Sequence, residues 1–171
     1  MKKLVILVFI ILLVIGAVFA INYISLQSIV DAKLSSDYRN EGVKISIHYK
    51  NYVQFTSLVF DVKKVDGKNS PADVFRVFLQ SASSLKDKRY SKVELDGYGK
   101  SVFYITGEYF NKLGSEYSFQ NALYTMRTFP ENLYLMNGDR AYNSVDGGLF
   151  GVLNAQSDNF KDAYTKWFID K

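Results

Sequence analysis

Val43-Lys44-Ile45-Ser46-Ile47-His48-Tyr49-Lys50 alternates apolar and polar residues without a slip. Successive side chains of a strand point to opposite faces, so this run specifies a strand with one buried face and one wet face. Downstream, residues 53–65 read as a second strand, rich in Val and Phe. Its alternation shifts near Ser57-Leu58, the mark of a bulge or a break. Asp66-Gly67-Lys68-Asn69 is a loop. Ser70-Pro71-Ala72-Asp73 then opens a helix with a serine cap, proline at the first helical position and an acid in the first turn. Val74, Phe75, Val77, Phe78, Ala82 and Leu85 form its apolar face, which ends near Lys88.

Further on, residues 90–96 and 101–106 read as two strands joined by Gly97-Tyr98-Gly99-Lys100, a hairpin. A short helix follows over 108–113, stopped by Gly114. Residues 121–129 fit either helix or strand, with extended structure favoured before Pro130. Asn137-Gly138, the strongest short hairpin signal, joins 133–136 to 139–142. The chain closes with a helix over 148–169, capped by Asp146, whose face carries Leu149, Leu153, Gln156, Phe160, Ala163, Tyr164 and Trp167. Short turns between neighbouring strands predict mainly antiparallel pairing. The fold class is α+β: one small domain with helices packed on one face of the sheet.

Upstream of the first strand lies a different object. Lys2 and Lys3 precede an unbroken apolar run from Leu4 to Ile21. Its 18 residues span about 27 Å as a helix, close to the hydrocarbon thickness of a bilayer. The two lysines predict a cytoplasmic N-terminus, with Tyr23 at the far interface and the rest of the chain across the membrane. Removal of the segment as a signal peptide, with Ala20 as the last removed residue, is the competing reading. The apolar run exceeds the usual signal core, which favours a retained anchor. Residues 1–21 are therefore the anchor or uncleaved signal, 22–42 a juxtamembrane helix or stalk, and 43–171 the extracytoplasmic domain. Leu26, Ile29, Val30 and Leu34 give the stalk a narrow stripe, read as packing against the domain.

The whole chain has 171 residues, 48% of them hydrophobic, and a net charge of +4. Without the first 21 residues the charge is +2, with 19 basic and 17 acidic residues. Mixed charge of that size is a solvated surface and excludes a nucleic-acid footprint. The basic clusters Lys63-Lys64 and Lys86-Asp87-Lys88-Arg89 read as charges at element ends. The absence of cysteine excludes disulfides, thiolate metal sites and a cysteine nucleophile.

Other chemistry is sparse. Gly97-Tyr98-Gly99-Lys100-Ser101 lacks the spacing of a phosphate loop, because Glu94 stands where the first glycine is required. His48, the lone histidine, falls on the polar phase of its strand with no converging ligands. Asp139, Asp146 and Asp158 lack the order of a calcium loop. Glu94, Asp96 and Glu108 are the acids available for paired-carboxylate glycoside cleavage. Aromatics crowd residues 98–124. Core packing is the first reading of this cluster, while Tyr98, Tyr104, Tyr109 and Tyr124, with Arg127 beside them, also suit a contact surface. Arg127 is expected to pair with Glu108, Glu116 or Glu131. The sequence therefore leads to a membrane-anchored extracytoplasmic binding or assembly module, with a protein partner in the cell envelope and no catalytic, metal or cofactor site. An envelope hydrolase or, after cleavage, a secreted small-ligand carrier are the alternatives.

Overall fold

A helix near the N-terminus covers one edge of the sheet. In a computed structural model describing residues 2–170, apart from the side chain of Leu149, the chain opens with α1 (Lys2–Ser35). A 3-10 turn leads to β1 (Val43–Lys50) and β2 (Gln54–Val65). Then follow α2 (Pro71–Ser84), β3 (Lys92–Gly97), β4 (Lys100–Thr106), α3 (Gly107–Glu116) and α4 (Ala122–Thr128). The two-residue β5 (Tyr134–Leu135) and α5 (Leu149–Tyr164) complete the chain, the latter continuing into a wide π turn at Thr165–Ile169.

The sheet runs in chain order, β1-β2-β3-β4-β5. The fold is the expected α+β class. Three of its four strand pairs are antiparallel, while β2 and β3 run parallel. A parallel pair needs a crossover, and α2 supplies it. Ile47, Phe60, Val62, Leu95, Phe103 and Ile105 are all buried beneath the helices. Phe78 of α2 meets Phe60 edge-on at 5.1 Å and Trp167 at 5.7 Å. The opposite face carries Ser46, His48, Asp61, Glu94, Asp96 and Tyr104. The shift of alternation at Ser57-Leu58 reflects pairing: the β1–β2 register jumps from Tyr49↔Leu58 to Lys50↔Gln54.

The segment expected as anchor and stalk is one helix, widened at Tyr23–Gln27 into a π turn. In an unbroken α-helix, residues five apart point about 140° away from each other. The wider turn, closed by i→i+5 bonds, returns them to one side. Asn22 and Gln27 thereby both face the edge of β1. Asn22 Oδ1 accepts the Tyr49 N–H and Gln27 Oε1 the Ile47 N–H, each at 2.8 Å. Leu26 and Val30 are buried in the core, whereas Ile29 of the expected stripe is exposed. An edge strand left open invites pairing with another chain; here a helix covers it with two amide side chains.

Several local expectations are corrected. Residues 121–129 are not extended: Asn121 Oδ1 accepts the Tyr124 N–H and starts α4. Pro130 lies in the first turn of the 3-10 helix Phe129–Asn132, where its missing N–H costs nothing. Gly114 does not stop α3. A Cβ there would stand 2.4 Å from the Ala82 carbonyl oxygen, so glycine permits α3 to approach α2. Gly148, not Asp146, is the N-cap of α5. Helix α2 ends at Ser84, a turn before Lys88. The Asn137-Gly138 turn forms, but its hairpin is short: Tyr134 bridges Arg140, and the Leu135 N–H donates to Asp139 O.

Candidate functional site

The brevity of β5 creates the most distinctive surface feature. It pairs with β4 only at Phe103 and Tyr104, so among the described residues no strand continues along that side of Lys100, Ser101 and Val102. Beside this stretch lies a groove of about 830 Å³, whose walls include Tyr98, Val102, Leu135, Tyr142, Lys166 and Trp167. Lys166 and Trp167 come from the π turn at Thr165–Ile169. Trp167 Nε1 donates to Asp96 O at 3.1 Å. Gly97 makes this seat possible, since a Cβ there would meet the Trp167 carbonyl oxygen at 1.8 Å. Tyr98, held at φ 55° in the β3–β4 turn, donates its hydroxyl to Phe168 O at 3.2 Å. On the opposite wall the Tyr142 hydroxyl donates to Asp162 Oδ2 at 2.6 Å, and Lys166 Nζ donates to the same oxygen at 2.6 Å. Burial pushes the Tyr142 hydroxyl up, and the hydrogen bond to Asp162 pushes it further. Lys166 holds Asp162 below the usual carboxylate range. The groove thus joins aromatic walls and a cation to an unpaired strand edge.

A second polar group lies on the open sheet face. Glu94 Oε1 accepts from Lys50 at 2.6 Å and stands 3.0 Å from Lys92 Nζ. Burial pushes its carboxyl up, but the hydrogen bonds from both lysines outweigh that and leave it below its ordinary value. Asp96, two residues along the same face, is shifted the opposite way: burial raises it, a hydrogen bond from Ser101 offsets part of that, and the neighbouring Asp61 and Glu94 raise it further. Among the described residues its buried Oδ1 has no hydrogen-bond partner. Asp61 itself is satisfied by Lys63 and by the Gly99 N–H at 3.0 Å. His48 stacks on Tyr52, rings 4.5 Å apart and 11° from parallel.

The residues singled out in sequence fall in three places. Tyr98 lines the groove. Tyr104 lies on the open sheet face, stacked on Tyr134 at 5.1 Å with Lys92 Nζ 4.2 Å above its ring. Tyr109, Tyr124 and Arg127 are on the helical side. Tyr109 packs at 6.3 Å on Phe129, and burial raises its hydroxyl; Tyr124 is exposed at the start of α4. Arg127 pairs with none of its three expected acids among the described residues; its Nε is buried without a hydrogen-bond partner, and Glu131 binds Gln156. Glu108 is exposed in the first turn of α3, apart from Glu94 and Asp96. Asp139 binds Asn137 in its own turn. Lys2 opens α1, and Tyr23 is exposed at its π turn. Sequence reading missed Tyr142, Trp167 and the β4 edge as parts of one groove. The only available signal was the shortness of the strand before Asn137-Gly138.

No family model, curated protein or solved structure matches this chain. Its geometry has to carry the functional reading.

Proposed function

We propose that the chain is a single-pass membrane protein whose extracytoplasmic domain takes up an extended segment of a partner envelope protein along the free edge of β4. Helix α1 supports the anchor: it is long and apolar enough to cross a membrane, with mean hydropathy 3.5 over its most apolar stretch and none of that stretch buried. Lys2 and Lys3 favour a cytoplasmic N-terminus. The observation that carries the binding reading is the unpaired side of Lys100–Val102 opening on an aromatic groove. Strand addition takes its affinity from main-chain hydrogen bonds and its specificity from pockets for alternate side chains. Tyr142, Leu135 and Trp167 suit apolar side chains of such a segment, and Lys100 suits an acid.

The test places a photocrosslinking amino acid at Val102 in the full chain, with Lys68 as control site. A single contiguous segment of one membrane-fraction protein attached at 102 and not at 68, and lost on Leu135→Asp, supports strand addition. Equal labelling at both sites, or labelling indifferent to Leu135→Asp, refutes it.

The opposed shifts of Glu94 and Asp96 favour a second reading, an envelope hydrolase. Neighbouring carboxyls whose surroundings push them in opposite directions are the arrangement that divides acid and base roles. Hydrolysis of purified cell-wall glycan that disappears in Asp96→Asn would support it; no hydrolysis by the unaltered chain would dismiss it.

A further inference from the structure

Strand directions decide which loops stand at the end of the domain nearest the anchor. The apolar run ends at Ile21, so in the membrane-anchored reading this level is the far boundary of the hydrocarbon. The turn between β1 and β2 sits at that level. The Phe19 ring lies 4.8 Å from the Tyr52 ring, and Asn22 Nδ2 donates to Tyr52 O at 2.8 Å. Asn51 and Tyr52 hold positive φ, 50° and 64°, the conformation of a tight primed turn that projects its tip. Val53 and Phe55 beside it are 57% and 54% exposed, more apolar surface than a turn in water requires. They stand next to the bilayer boundary.

The parallel pairing of β2 and β3 brings a second loop to the same end. Both strands start there, and the Ser91 N–H donates to Thr56 O at 2.8 Å, one residue from Phe55. The loop leading into Ser91 carries Lys86, Lys88 and Arg89 against Asp87 alone. Lys86 and Arg89 are exposed, and none of the three cations forms an ion pair among the described residues. In sequence this cluster looked like helix-end charge, but α2 ends at Ser84, before it begins.

We infer that this end of the domain is a lipid-docking face: Tyr52, Val53 and Phe55 enter the interface of the bilayer that α1 crosses, while Lys86, Lys88 and Arg89 bind its anionic phospholipid headgroups. Aromatic and apolar side chains settle at the headgroup level, and clustered cations are drawn to a negatively charged leaflet. The domain is therefore held against the membrane at two points besides its anchor, with a fixed orientation. The inference rests on the membrane-anchored reading.

The chain has no cysteine, so single labels can be placed without interference. An environment-sensitive fluorophore is attached at Val14→Cys, Val53→Cys or Lys68→Cys in the full chain, reconstituted in phosphatidylcholine/phosphatidylglycerol vesicles with a lipid-borne quencher. The label at 14 reports the anchor, and the label at 68 lies at the opposite end of β2. Docking requires quenching at 14 and 53 and none at 68. Lys86→Gln with Arg89→Gln should then shift the docked-to-undocked ratio at 53 by about fivefold for each charge removed, leaving 14 unchanged. Quenching at 14 with 53 behaving like 68 overturns the docking face while the anchor stands. No quenching at 14 overturns the anchor and this inference together. Quenching at 53 that ignores both the substitutions and the removal of phosphatidylglycerol overturns the headgroup contact.

Discussion

Replacing Asn22 by alanine separates a helix that merely tethers from one that completes the sheet. Asn22 is 4% exposed and makes three hydrogen bonds at 2.8 Å: Nδ2 to Val18 O and Tyr52 O, and Oδ1 from the Tyr49 N–H. The Val18 oxygen keeps its helical bond and Tyr52 O lies near the exposed turn, so the cost concentrates on the Tyr49 N–H. A buried donor left without a partner costs about 1–3 kcal/mol, and a lost hydrogen bond a further ~1 kcal/mol. The expected destabilisation is about 2–4 kcal/mol, a large share of the ~5–15 kcal/mol that holds a domain folded. For a chain of this size that lowers Tm by roughly 5–15 °C. Trp167 is the only tryptophan and is 3% exposed, so its fluorescence reports unfolding of the full chain in detergent micelles. Ile29→Ala, at an exposed position on the same helix, serves as control and should change stability by less than ~0.5 kcal/mol. An Asn22→Ala chain within ~0.5 kcal/mol of the parent would refute the idea that α1 is part of the sheet's edge.

Three further outcomes follow from the same geometry. Gly114→Ala drives a methyl toward the Ala82 carbonyl at 2.4 Å; the strain outweighs the better helix propensity of alanine, and chemical denaturation should show a loss of about 1–2 kcal/mol. Because burial raises Asp96, its ionised form weakens the folded state above that raised value and ceases to do so as pH falls through it; Asp96→Asn should therefore raise Tm at pH 7, with the gain vanishing on acidification. Asp37 is lowered chiefly by its hydrogen bond from Arg39 and Asp73 by the Ser70 backbone N–H; the stability they add is complete above the ordinary carboxylate value of about 3.9 and is lost as pH falls through their lower folded values, so Tm should fall less steeply below pH ~4 in an Asp37→Asn, Asp73→Asn chain than in the parent.

Where local chemistry decides local structure, the sequence was a good guide. The alternation of 43–50, the Ser70 cap with Asp73 in the first turn, and the turn through Tyr98 each form as expected. Failures came where a distant element decides. Gly114 reads as a stop until Ala82 is seen against it. The π turn at Tyr23–Gln27 has no local sequence mark; it pays only because Ile47 and Tyr49 need acceptors. Residues 121–129 carry β-compatible aromatics, yet Asn121 caps a helix. The groove is less legible still, because the β4 edge, Tyr142 and Trp167 meet only after three separate elements have packed.

The most direct measurement is of the mature chain itself: its N-terminus, determined by mass spectrometry on membranes washed at alkaline pH. An anchor that also covers the edge of β1 requires residues 1–21 to be retained, apart from the initiator methionine, in protein that stays with the washed membranes. A mature chain beginning at Ile21 and released into the soluble fraction would contradict it.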